Sequence, residues 1–452
     1  MRIGIIILFA CSCALRASDS FGQANPDSLI SVYVKKIQKH LDKDGKVSEI
    51  FSFTKEGIET YQLETDTSQR KFEGIILWRQ VDTLKRLFQF VDSREVRKVC
   101  TYKMDNTYLT ALRLISVSKQ SVSKLNKDTV FPKIGDCRIV IDPGHIGGDI
   151  ETAKMEKKWV EMKPNPAKGI KEPIQLIEGN LTFAAAKILK KKLESEGATV
   201  LLTRHEQGIS AFGISFEKWK DSLFLRSLDS AFARGDVSFE EKNFLLTKAD
   251  ATEIFRRFFL QEEMRERARR INAFHPDLTI IIHFNVDETN QSWNKPTKKN
   301  FNMAFVGGSF SADELEKPEA RIDFLRLLLT GDIENSIEFS KYMVESLVEK
   351  TKVPAALDSC ALYLKGNCIT TDAPGVFCRN LALTRMVRGT LCYGESLYQD
   401  NIDECKALSK AEITIDGIKT SKRVQEVADA YFNGVMNYVK QKSQAAALQG
   451  EK

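Results

Sequence analysis

The chain holds five histidines, at positions 40, 145, 205, 275 and 283, and two of them stand where a metal would be bound. His145 closes the run Val140-Ile-Asp-Pro-Gly-His145, and His283 closes Ile280-Ile-Ile-His283. Each run is short, apolar and β-branched, so each reads as a strand delivering an imidazole at its end. In an open parallel sheet the carboxyl ends of the strands line one crevice, and ligands bind there. Imidazole is the commonest protein ligand for zinc, and a catalytic zinc takes three protein ligands and keeps one position for water. Two carboxylates are placed to complete such a site. Glu178 precedes a helical stretch, and Glu395 follows the apolar run Thr390-Leu-Cys-Tyr-Gly394. Taken singly, a strand-end histidine is explained by a hydrogen bond and a helix-start Glu by the helix dipole. The convergence of all four on one edge is what points to chemistry.

These side chains need a scaffold, and from Cys137 onward the pattern supplies one. Arg138 to Asp142 reads as a strand ended by Pro143-Gly144, and Leu181 to Glu194 has apolar residues at helical spacing before Gly197. Strand Ala198–Thr203, helix Glu262–Phe274, strand Leu278–His283, strand Phe301–Val306, helix Glu334–Lys350, strand Thr390–Tyr393 and helix Arg423–Val439 follow. Alternation of this kind predicts an α/β fold, a mainly parallel sheet flanked by helices on both faces. Two insertions interrupt it, 205–261 and 288–300. Residues 25–130 read as a smaller N-terminal α/β or α+β domain of unassigned role, with a helix over Ser28–Leu41, a strand over Tyr108–Val117 and a linker near Asn126–Gly135. The expected catalytic domain spans 131–442, and the Ala-rich segment 443–452 is expected to be a flexible tail.

Composition sets the class. Of 452 residues, 42% are hydrophobic and 28% charged, which excludes disordered, collagen-like and polytopic membrane proteins. The net charge of +6 is too thin over this length to argue for nucleic acid, though it tolerates an anionic polymer as partner. Met1-Arg2 followed by the apolar run Ile3–Leu15 and by Ser18-Asp19-Ser20 reads as a signal peptide, with a cut after Ala24 and rival cuts at Ala14 and Ala17. No later segment predicts a transmembrane span. Leu8-Phe-Ala-Cys11 bears some likeness to a lipoprotein box, so lipid anchoring is the lesser expectation. Of nine cysteines, seven lie beyond the leader, an odd number. The last five cluster, which admits a bridge such as Cys360–Cys368 or Cys368–Cys378 in an oxidising compartment.

At this point a resemblance becomes specific. Arg138-Ile-Val-Ile-Asp-Pro-Gly-His145, with Gly147, Gly148 and Asp149, resembles the opening motif of the zinc-dependent N-acetylmuramoyl-L-alanine amidases, bacterial cell-wall hydrolases. Their later motifs follow in order: Glu178-Gly-Asn-Leu-Thr-Phe183, Gly197-Ala-Thr-Val-Leu-Leu-Thr-Arg204, Arg267 to Asn272, Ile282-His-Phe-Asn285, and Glu395 with Asn401. Ile146, Ser396-Leu397 and a long segment between Asp149 and Glu178 depart from the pattern. The resemblance covers roughly 137–442 and implies an amidase/phosphorylase-like fold. It implies one zinc ion held by His145, Glu178 and His283, with Glu395 as the catalytic acid/base. It also implies substrate-binding or supporting roles for Arg204, Asn285 and Asn401.

The bond it implies is the amide between N-acetylmuramic acid and L-alanine in peptidoglycan, cut for wall remodelling or daughter-cell separation by an exported, periplasmic or envelope-associated enzyme. Insertion 205–261 mixes Phe212, Phe216, Trp219 and Phe224 with many charges, and is read either as a lid or as a dock for substrate or a protein activator, or as a peripheral helical pair. The alternatives are another zinc hydrolase such as a peptidase, which the motif order disfavours, and a catalytically silent relative that binds wall or a partner.

Overall fold

The computed structural model describes residues 25–63, 70–88, 133–291 and 293–450. The leader 1–24, Cys100, the expected strand Tyr108–Val117 and the linker before Lys133 lie outside them. The N-terminal segment forms a helix, Pro26–Lys36, and an antiparallel meander of β1 (Phe51–Phe53), β2 (Gly57–Leu63) and β3 (Arg70–Leu77), followed by a helix over Trp78–Phe88. Its apolar residues share a core with the rest of the chain. Leu41, Val47, Ile58 and Ile76 belong to the same buried cluster as Phe310 and Phe324, and Phe51 stacks on Phe324 with ring centroids 4.6 Å apart.

The main sheet takes β4 (Arg138–Pro143), β7 (Thr199–Leu202), β8 (Leu278–Asn285), β9 (Met303–Val306), β10 (Cys368–Thr370), β11 (Val376–Arg379) and β12 (Leu391–Tyr398). A separate hairpin, β5 (Trp159–Met162) with β6 (Ile174–Ile177), stands beside it. The strand order is β10-β11-β9-β12-β8-β4-β7. β7, β4, β8 and β12 are mutually parallel, as the alternation predicts. β9 runs antiparallel to β12, β11 follows β9, and β10 reverses again, so the sheet is mixed.

β8 is central and buried along its whole length, which is why it reads as a continuous apolar run rather than an alternating one. Ile280, Ile281 and Ile282 are each 0% exposed, and each burial is worth about 1.5–3 kcal/mol. Side chains alternate between two covers. Ile139, Ile141, Ile280 and Ile282 face the helices Glu178–Ser195, Asp332–Thr351 and Lys422–Gly450, whereas Val140 and Ile281 face the helix Leu260–Phe274.

Several expectations change. Glu395 does not end its strand: β12 continues to Tyr398 through an irregularity at Ser396–Tyr398, where Leu397 has φ +56°. The final helix runs to Gly450 and takes in most of the segment expected as a tail, since its Ala and Gln residues are strong helix formers. The described cysteines are free thiols, and neither expected bridge forms. Cys378 pairs with Ile369 across β10 and β11, so Cys368 projects from the opposite face and cannot meet it. Insertion 205–261 is larger than a helical pair: helices Phe216–Ser222, Phe224–Ala233, Phe239–Thr247 and Ala251–Ile254 enclose a core of Trp219, Phe216, Phe255, Phe258 and Phe259. Among the described residues no helix is long and apolar enough to cross a membrane.

Candidate metal centre and active site

The carboxyl ends of β4 and β8 bring His145 and His283 together. Gly144 makes this possible, since a Cβ there would lie 2.3 Å from the His283 ring. The next residue, His145, sits in the left-handed region at φ +60°, a conformation that costs a non-glycine residue about 1–3 kcal/mol and persists only when its surroundings hold it. Here they do. Arg267 donates to the His145 carbonyl (3.0 Å), Arg204 donates to the Ile146 carbonyl (2.9 Å), and the Ile146 amide donates to Glu156 (3.1 Å).

Glu178 is the first residue of the helix Glu178–Ser195 and reaches between the two imidazoles. Its Oε1 lies 3.2 Å from His145 Nε2 and 3.0 Å from His283 Nδ1. One ligand atom from each of the three residues falls within 4.8 Å of the others. Donors arranged tetrahedrally about zinc at about 2.0–2.1 Å are themselves about 3.3 Å apart, so the spacing suits that ion. The donor chemistry agrees. His145 Nδ1 is engaged by Glu156 Oε1 at 3.1 Å, whereas its buried Nε2 faces Glu178 Oε1 without a hydrogen bond. A carboxylate on the far nitrogen of a metal-ligating histidine fixes its tautomer and raises its basicity. Glu178 is braced in the same way, accepting from the Phe284 amide and from Gln399 Nε2, each at 3.2 Å.

Burial and neighbouring charges act on each of these groups. Burial alone would raise the Glu178 carboxyl, but His145 and Lys158 outweigh it and hold the carboxyl well below its usual range. Burial drives the His283 imidazole down to about 4, so it is neutral and has a lone pair to offer near pH 7. Lys158 lies 3.6 Å from Glu178 Oε2. Burial disfavours its charge, yet Glu178, Glu395 and Glu156 together raise its pKa.

Glu395 pairs with His283 across β12 and β8, directly beside the cluster and on the same face of the sheet. Burial, with the Glu178 charge second, raises its carboxyl to about 7. A carboxylate poised near neutrality can take a proton and return it. Tyr393, two residues before Glu395, stacks on His283, the centroids 4.7 Å apart and the planes 5° from parallel.

Of the other residues singled out from the sequence, Arg204 is fully buried and spends its donors on the carbonyls of Pro143 and Ile146, supporting the His145 loop. Asn285 donates to the Tyr363 hydroxyl at 3.2 Å, and Asn401 caps the helix Ile402–Leu408. Glu156, Lys158, Gln399 and Tyr393 were not anticipated. Glu156 ends the helix Ile150–Glu156 inside a Lys-rich stretch that looks like solvated surface, and a left-handed turn at Lys157 leads directly on to Lys158. Insertion 205–261 touches the site indirectly: Ile146, next to His145, is part of its core.

A sequence profile of the family described as N-acetylmuramoyl-L-alanine amidase matches residues 139–437. No curated protein matches the chain. Among solved structures, the N-acetylmuramyl-L-alanine amidase Ami1 from Mycobacterium smegmatis aligns at 13% identity and TM-score 0.36, covering 69% of this chain and 100% of that one. The N-acetylmuramoyl-L-alanine amidase from Clostridium difficile 630 aligns at 14% identity and TM-score 0.35, covering 68% and 98%. The CwlD amidase from Clostridioides difficile, solved in complex with the GerS lipoprotein, aligns at 16% identity and TM-score 0.33, covering 68% and 99%.

Proposed function

Because the chain belongs to the N-acetylmuramoyl-L-alanine amidase family, whose members are peptidoglycan amidases, we propose that it is a zinc-dependent hydrolase of the amide joining N-acetylmuramic acid to L-alanine. The observation that carries this reading is the meeting of His145, Glu178 and His283 with Glu395 directly beside them. Those three residues would hold one zinc ion, which when bound supplies a polarised scissile carbonyl and a water acidic enough to ionise near pH 7. Glu395 takes the proton of the attacking water and delivers it to the departing L-alanine nitrogen, a role worth about 10²–10⁴-fold. Glu156 keeps His145 in the tautomer that presents Nε2, and Gln399 with the Phe284 amide fixes Glu178. The apolar leader and a wall substrate together support export to the periplasm or cell envelope, with a task in wall remodelling or daughter-cell separation.

Zinc titration of the purified chain tests the metal half of this reading. One equivalent is expected to bind, and His283→Ala is expected to abolish both binding and release of stem peptide from muropeptides. Full hydrolysis by chelator-treated protein would contradict it.

A further inference from the structure

The segment between Asp149 and Glu178, which departs from the family pattern, brings to the site a charge that the proposed chemistry does not use. It folds as the helix Ile150–Glu156, a left-handed turn at Lys157 (φ +57°) and the hairpin of β5 and β6. Trp159 pairs with Ile177 across that antiparallel hairpin, so the next residues out, Lys158 and Glu178, stand opposite each other. Their backbones are fixed there. The Glu178 amide donates to the Lys158 carbonyl (3.2 Å), and the Lys158 amide donates to the Ala153 carbonyl (2.8 Å). The hairpin is in turn tied to insertion 288–300, where the Trp293 carbonyl accepts from the Glu161 amide (2.9 Å).

The two oxygens of Glu178 have different partners. Oε1 lies near both imidazoles, 3.2 Å from His145 Nε2 and 3.0 Å from His283 Nδ1. Oε2 accepts from Gln399 Nε2 at 3.2 Å, and the Lys158 ammonium lies 3.6 Å from it. The Glu178 side chain is only 1% exposed, so water and salt screen this pair little. An ammonium so placed acts in two ways on a cation held at Oε1. It repels the cation, which weakens binding, and it draws carboxylate charge towards Oε2, which leaves the cation a stronger Lewis acid. Resting on the amidase reading above, we infer that Lys158 is a positioning residue that keeps Glu178 a one-oxygen metal ligand and trades metal affinity for electrophilic power. Glu156, two residues earlier, acts in the opposite sense, since a carboxylate on the far nitrogen of His145 makes that ligand more basic. One left-handed turn thus sets a strengthening and a weakening charge on neighbouring ligands.

Zinc affinity of the full chain, read by competition with a chelator, tests this without substrate. Lys158→Met keeps the length of the side chain and removes its charge. It should bind zinc about tenfold or more tightly than the unaltered protein. At saturating zinc its kcat on muropeptides should nevertheless fall about 10–100-fold, with KM little changed. Lys158→Arg, which keeps the charge, should match the unaltered protein in affinity. A merely structural role predicts the opposite sign, because losing the support of a ligand weakens metal binding about 10–100-fold. Weaker or unchanged binding by Lys158→Met would therefore overturn the inference. So would tighter binding by Lys158→Arg, or a kcat that Lys158→Met leaves unchanged. Any of these, with stem peptide still released by the unaltered protein, removes this inference and leaves the amidase intact. Zinc-loaded unaltered protein that releases no stem peptide sinks the amidase reading instead, and the affinity comparison still decides for Lys158.

Discussion

Each residue around the candidate metal centre has a separable proposed job, and the separations can be measured. Glu395→Gln keeps the shape of the side chain and removes its ability to accept a proton. It should leave zinc bound while kcat falls about 10²–10⁴-fold. The base must be ionised to act, and burial holds it near 7, so kcat/KM should fall as pH drops through this value. A cation held by Glu178 offsets the second cause of that rise, which places the acid limb at or somewhat below 7. A pH profile with no acid limb between 5 and 7.5 would count against Glu395 as the base. Glu156→Gln tests support rather than chemistry: zinc affinity, read by competition with a chelator, should weaken about 10–100-fold, with activity returning at saturating zinc. The four principal residues were legible because each sits in a motif of fixed spacing. Glu156, Lys158 and Gln399 were not. They reach the site through a left-handed turn and a strand that continues past its expected end.

At the scale of elements, the parallel half of the sheet followed directly from apolar runs alternating with helical periodicity, because strands buried on both faces cannot hide their composition. The reversed strands β9 and β11 were harder to read, since direction is decided by how long connections pack and not by the residues within a strand. The insertion is the element with the clearest consequence. Trp219 is 0% exposed at the centre of the aromatic core that also buries Ile146, beside His145. Trp219→Ala should cost about 3–5 kcal/mol of local packing and should lower hydrolysis by loosening the His145 loop. A lid would behave oppositely: the same substitution would raise the activity of unstimulated enzyme. Comparing initial rates of the two proteins on muropeptides decides between a buttress and a lid.

Over the whole molecule, the N-terminal meander and the catalytic sheet share one buried cluster, joined where Phe51 stacks on Phe324 and where Phe310 pairs with Leu41. Phe51→Ala should therefore destabilise the chain by about 3–5 kcal/mol, and thermal unfolding should remain a single transition. Two separate transitions, with only the first shifted, would mean that the N-terminal segment folds on its own. That shared core was not legible from the sequence, which shows two apolar segments but not that they bury each other. The most direct test of what the assembled molecule does is to incubate the zinc-loaded protein, alongside Glu395→Gln, with purified peptidoglycan and to identify the new ends by mass spectrometry. Free stem peptides beginning at L-alanine, absent with the variant, are the expected products. New reducing sugar ends or cleaved peptide–peptide bonds, with the lactyl amide intact, would contradict the assignment of the bond.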